Sequence, residues 1–296
     1  EYKPNASMPD DKFYNLYNVM KNYVGKDNPD NDYSFPVKNV TVPVDVAAAI
    51  KNGTVNAIDS VLSSLDFSLP RNALMKNESA VLNIIAANNW KRPIYFTNAG
   101  AELGFDQFLR RDGLSYRLAP VKNSKVNTNW MLDKLTNKFS FGNADKPGVY
   151  FDEENRRHLG GIRSAYAELA IDLAAKNRKE EARVVLNKAD KMMHESNFGY
   201  GLTSRGNLHN RNSLLFLDAC YLAGDQALIQ KVSAAVKKDL TQQVNYYNSL
   251  SGMKAENMAQ EKQTAEGYLQ ALTQMQTMYN PSVEIPGKVM SKDTNR

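Results

Sequence analysis

Two groups of arginines in this sequence sit among residue types suited to holding a ligand. Trp90, Lys91 and Arg92 precede a strand signal, Pro93-Ile94-Tyr95-Phe96-Thr97. Asp106, Arg110 and Arg111 follow the C-terminal end of that strand, where α/β layers place ligand crevices. Farther along, Asn155, Arg156, Tyr166, Asn207, Asn210 and Arg211 are spaced to line the concave face that helical repeats offer to peptides. A guanidinium presents a planar fork that fixes a carboxylate or a backbone carbonyl in one orientation. The binding candidates are therefore Trp90, Arg92, Asp106, Arg110, Asn155 and Arg156, with Arg92, Arg110, Asn155 and Arg156 expected to converge where the two halves of the chain meet. A competing reading makes Trp90 a lid on the core and pairs Asp106 with Arg110 at i,i+4. It is favoured for each residue taken singly.

Catalytic constellations do not emerge. The sequence lacks G-x-S-x-G, H-E-x-x-H and the phosphate-binding G-x-x-x-x-G-K-[ST]. Gly199-Tyr200-Gly201 is followed by Ser204 where a dinucleotide motif needs a third glycine. His158, His194 and His209 are not at ligand spacing, and each is expected to cap, pack or face solvent. Asp152, Glu153 and Glu154 read as a helix N-cap and first turn rather than a cation site. Cys220, the single cysteine, excludes an internal disulfide and lies in an apolar run that buries it. A pair of glycosidase-type carboxylates can come from anywhere in a chain, so none is singled out. No catalytic residue, cofactor or metal is assigned.

With 37 Lys and Arg against 32 Asp and Glu, the net charge is +5. The basic residues are mixed with acids and form no stripe, which argues against nucleic acid and agrees with a position close to an anionic membrane surface. No run reaches the roughly 18 apolar residues a membrane-spanning helix needs; the best, Ala80 to Ala87, is interrupted by Asn83.

The elements that must position the candidates change character once. Strand signals at Val40–Val44, Leu65–Leu69, Ile94–Thr97 and Ser115–Val121 are separated by helical stretches such as Glu78–Asn88. Phe105 to Arg111 reads as a short amphipathic helix closed near Gly113. From Thr128 the pattern is helix after helix: Asp152 to Lys176, Lys179 to Met193, Asn210 to Ala223, Asp225 to Leu250 and Ala255 to Tyr279. Tyr166, Leu169, Ala170 and Leu173, then Ala182, Leu186 and Ala189, follow tetratricopeptide spacing. Met258, Ala265, Leu272 and Tyr279 recur every seven residues as a packing seam. The expected class is α+β: a small α/β layer of three to four strands followed by an all-helical tetratricopeptide-like array. The divisions are an N-terminal extension with a helix (1–39), the α/β layer (40–125), the helical domain (126–280) and a loosely held tail (281–296).

Three stretches carry a resemblance: Asn89-Trp90-Lys91-Arg92-Pro93-Ile94-Tyr95-Phe96, Gly104-Phe105-Asp106 and Gly113-Leu114-Ser115-Tyr116-Arg117-Leu118-Ala119-Pro120-Val121. With Lys51–Val55, Asn137–Asn143 and Pro147–Arg157, they resemble the C-terminal soluble part of a bacterial polytopic membrane protein family. The membrane half of that family is similar to protein O-mannosyltransferases. The similarity spans about residues 40 to 200. It implies a parent enzyme that takes a sugar from a lipid carrier with acidic residues in loops between membrane helices, a part this chain lacks. On that reading Glu1 begins an excised domain or processed product. The chain is then expected to be a non-catalytic periplasmic accessory domain of an inner-membrane protein, with its own membrane domain and an acceptor polypeptide as partners. The alternatives are a free-standing helical-repeat protein that binds proteins or glycans, and a hydrolase with an unrecognised site.

Overall fold

A computed structural model describes residues 1–24, 34–100 and 102–279. The chain forms two compact units, residues 1–131 and 132–296. The expected tail at 281–296 and the helix stop at Asn280-Pro281 lie outside the described residues.

The first unit contains two three-stranded sheets rather than one layer. In the first, β1 (Tyr14–Asn15) pairs parallel with β2 (Asn39–Pro43), and β2 pairs antiparallel with β3 (Ser64–Ser68). Alternation sets its buried face: Val40 lies opposite Phe67 and Val42 opposite Leu65, all four buried, while their neighbours are more exposed. α1 (Leu16–Val19) and α3 (Lys76–Asn88) add Leu16, Val19, Leu82 and Ile85 to the same core. The short α2 (Val46–Lys51) is capped by Asp45, whose side chain accepts from the Ala48 N–H. The second sheet has the order β4 (Tyr95–Phe96), β6 (Ser115–Leu118), β5 (Leu109–Asp112), antiparallel throughout. Gly104 joins the two sheets closely. Its φ is +89°, and a Cβ there would stand 2.1 Å from the Ser68 carbonyl oxygen.

One expectation fails in this unit. Phe105 to Arg111 is not a helix: only Asp106–Phe108 makes a 3-10 turn, and Leu109 onward is strand β5. Asp112 faces Ser115 across a two-residue turn in which Gly113, at φ 68°, takes the glycine position of a type II′ hairpin. The polar side chains that looked like a solvated helix face are buried at Arg110, Arg111 and Asp112, so sheet pairing and buried partners override the local pattern.

The second unit is helical in its described residues. The boundary with the first falls within α4 (Thr128–Asn137). α5 (Glu153–Ala175) and α6 (Lys179–Met192) pack through Tyr166, Leu169, Ala170, Leu173, Ala182, Leu186 and Ala189, all buried. α7 (Glu195–Phe198) is a single turn. α8 (Leu208–Ala223) and α9 (Gln226–Asn248) are joined at Gly224, φ 71°, and Asp225 caps α9 by accepting from the Leu228 N–H. The expected last helix is interrupted: α10 (Met253–Asn257) stops before α11 (Ala259–Tyr279). Along the seven-residue stripe Ala265 and Leu272 are buried, Met258 is exposed, and Tyr279 stacks on Tyr221 with ring centroids 4.5 Å apart. No described helix is long and apolar enough to cross a membrane.

Candidate functional site

The candidates in the first unit separate by burial. Trp90 is 5% exposed and donates its indole N–H to the Pro43 carbonyl at 2.7 Å, so it seals the core and is unavailable to a ligand. Its φ of 57°, directly after Asn89 at 45°, reverses the chain through two left-handed residues, a strained pairing held in place by the buried ring. Arg110 is also withdrawn. Its guanidinium is buried, 2.9 Å from Asp59 and 3.3 Å from the Thr54 carbonyl. It pairs with Asp59, 51 residues away, and not with Asp106 one helical turn back. Arg92 and Asp106 are exposed.

Around Arg110 the stretches that carry the family resemblance tie themselves together. Arg117, opposite Arg110 in the hairpin, donates to the Gly53 carbonyl and pairs with Asp112, which also accepts from Asn127 at 3.0 Å. Asn52 donates to the Trp90 carbonyl and accepts from the Thr54 N–H at 2.9 Å. Thus the Lys51–Val55 loop, the turn after α3 and the β5–β6 hairpin form one polar tie, and these arginines serve the fold.

In the second unit the structure adds what the sequence did not single out: a groove of about 770 Å³ between the first turns of α5, the loop 199–207 and the start of α8. At its rim Asp152 caps α5, accepting from the Asn155 N–H and from the Asn155 side chain, both at 2.8 Å. Those hydrogen bonds, the backbone one foremost, hold the Asp152 carboxyl below the usual range. Asn155 is thereby occupied as a local cap. Arg156 and Arg157 both line the groove, but Arg157 is paired with Glu154. Arg156 and, across the groove, Arg205 form no ion pair with the described residues. Leu202 and Leu208 add apolar residues to the same lining.

The wall opposite α5 is fixed from behind. Arg163, 2% exposed, donates to the Phe198 carbonyl at 2.6 Å and the Gly199 carbonyl at 3.1 Å, with its guanidinium carbon 4.2 Å and 4.3 Å from the ring centroids of Phe198 and Tyr200. Burial lowers its pKa to about 10, so it stays a cation at neutral pH. His209 Nε2 is 2.8 Å from the Gly199 carbonyl and must carry the proton to donate there. Burial first, and the Arg163 charge second, push His209 down to about 3, which keeps it neutral. Asn207 donates to Gln243 at 2.9 Å, and Asn210 donates to Asn207 and Asp239 at 2.7 Å each. A Cβ on Gly201 would lie 2.3 Å from the Ala235 carbonyl oxygen, so the loop backbone rests directly on α9.

These contacts correct the peptide-face reading for three residues. Asn207 and Asn210 are consumed in the buried network, and Tyr166 is fully buried and donates to the Leu135 carbonyl. His194 caps α7, His209 packs edge-on against Phe198, and His158 is exposed beside Glu154. Cys220 is buried, and burial raises its thiol pKa. Among the described residues no group of three or more His, Cys, Asp or Glu is placed to hold a metal ion.

Residues 2–136 match the family model described as TMEM260-associated domain 2. The match covers the first unit and ends inside α4, so the polar tie lies within it and the groove beyond it. It links this chain to a family associated with a membrane protein. Neither the curated proteins nor the solved structures contain a match.

Proposed function

We propose that this chain is an extramembrane recognition part of a membrane-associated, glycosyltransferase-like protein, and that its groove holds a segment of the acceptor polypeptide. The observation that carries the reading is the groove itself: two guanidiniums without ion-pair partners among the described residues, Arg156 and Arg205, line it together with Leu202, Leu208 and the carboxylates Glu153 and Glu154. An extended peptide satisfies that arrangement with backbone carbonyls or carboxylates at the arginines and an apolar side chain at the leucines. The similarity over residues 2–136 and the resemblance to the soluble part of an O-mannosyltransferase-like membrane protein support the attachment to a membrane domain. A periplasmic location and a tetratricopeptide-like character for the α5–α6 pair belong to the same reading.

The test uses the intact membrane protein. Replacing Arg156 and Arg205 together with Ala should reduce acceptor modification by roughly tenfold or more, the worth of one or two charge-assisted hydrogen bonds. Thermal stability should stay within about 1 kcal/mol because both side chains reach solvent. Unchanged modification by the folded double variant removes the groove from the proposal. Sugar transfer from a polyprenyl-linked donor by the chain alone would overturn the accessory role.

A further inference from the structure

The first unit has a second concavity, of about 380 Å³, between α1, β2 and the C-terminal end of α3. Its lining has an unusual balance. Asn15, Asn18, Asn89 and Tyr17 are among its lining residues, and among the described residues no acidic or basic one lines it. Rigid elements place each of them. Asn15 is the N-cap of α1, and its Oδ1 accepts from the Asn18 N–H at 3.2 Å. Asn89 is the left-handed C-cap of α3, held by the anchored Trp90 that follows it.

Asn15 Nδ2, the Asn18 and Asn89 carboxamides and the Tyr17 hydroxyl have no partner among the described residues. Tyr17 is 48% exposed, with the Lys21 ammonium 5.9 Å from its ring centroid. A carboxamide offers two donors and an acceptor at one site, which matches hydroxyl groups that both donate and accept. An aromatic ring adds an apolar platform for the C–H face of a pyranose. The lining residues carry no formal charge, and Lys21 approaches only the Tyr17 ring, so the wall itself favours a neutral ligand over an ion. The volume lies at the lower end of the roughly 300–1,000 Å³ range of small-ligand sites.

We propose that this cleft binds a neutral sugar residue through Tyr17, Asn18 and Asn89. The assignment rests on the first unit alone and does not depend on the peptide groove. The test is a ligand-observed NMR titration of the full chain with the methyl glycosides of glucose, mannose and galactose, with N-acetylglucosamine, and with glucuronate as the anionic comparison. At least one neutral sugar should saturate at concentrations up to about 10 mM, in the weak range expected of a single ring. Tyr17→Ala and Asn18→Ala, both at exposed positions, should each weaken it about fivefold or more. Circular dichroism and thermal unfolding of each variant confirm that the fold is kept. Failure of every neutral sugar to bind, binding unchanged in both folded variants, or preference for glucuronate overturns the assignment.

Discussion

The Arg110 guanidinium lies 2.9 Å from the Asp59 carboxylate with the arginine 2% exposed and the aspartate side chain 16% exposed, so the pair closes a 51-residue loop from inside the fold. Breaking such a pair takes the counter-charge from Asp59, which keeps only the neutral Asn56 donors, and the nearer of two donors from the Thr54 carbonyl, to which Arg117 also donates at 3.5 Å. Arg110→Ala should therefore cost about 3 kcal/mol or more of stability. Chemical denaturation measures it, and a loss below about 1 kcal/mol would show that Arg110 is not a structural tie.

Gly201 should be equally intolerant, for a steric reason. A methyl group there meets the Ala235 carbonyl oxygen at 2.3 Å and Asp239 Cβ at 2.9 Å, and neither belongs to the end of a flexible side chain. Gly201→Ala is expected to destabilise by about 2 kcal/mol through overpacking. Hydrogen exchange of the 199–207 loop should rise in the variant while that of β2 and β3 is unchanged.

His209 makes the second unit sensitive to acid. Its folded pKa, pushed down to about 3, lies below the unfolded value of 6.5, so the unfolded chain binds the extra proton between those two values. The stability that comes with a neutral His209 is complete above the unfolded pKa and falls as pH drops toward 3, by about 1.4 kcal/mol per unit. Comparing urea unfolding of wild type and His209→Gln at neutral pH and near pH 4.5 isolates this term, expected to be about 2–3 kcal/mol. Equal acid losses in the two proteins would place the proton elsewhere.

Cys220 should be inert in the native protein. Burial, more than the nearby Asp225 and Asp190, raises its thiol pKa and denies it the thiolate form. A maleimide should label it only in denaturant; rapid native labelling would contradict the packing around α8.

The helical boundaries were largely readable from local chemistry. Asp152 as a cap and the left-handed Asn177 between α5 and α6 are signals carried by single residues, and those helices begin and end within a residue or so of expectation. The strands at 39–43 and 64–68 follow from alternation alone. Residues 105–111 resemble a helix locally, and what makes them strand, the partners of Arg110 and Arg117 at Asp59, Thr54 and Gly53, lies far off in sequence. Gly113, taken from sequence as the end of a helix, is instead in the hairpin turn between Asp112 and Ser115. The groove was half legible: Arg156 was noticed, while Arg205, Leu202 and Leu208 follow an incomplete glycine motif whose real purpose, resting backbone against α9, is a three-dimensional fact.

Gly201 sets the loop's seat by backbone contact, Arg163 and His209 grip the Phe198–Gly199 carbonyls, and Ser204 accepts from the His209 N–H, so the groove keeps its shape through residues other than Leu202, Arg205 and Leu208. Under the proposed peptide reading, exchanging Leu202, Arg205 and Leu208 should change which segment is accepted while leaving the recess where it is. Relatives that keep the anchors and differ at those three positions would then be read as having different clients.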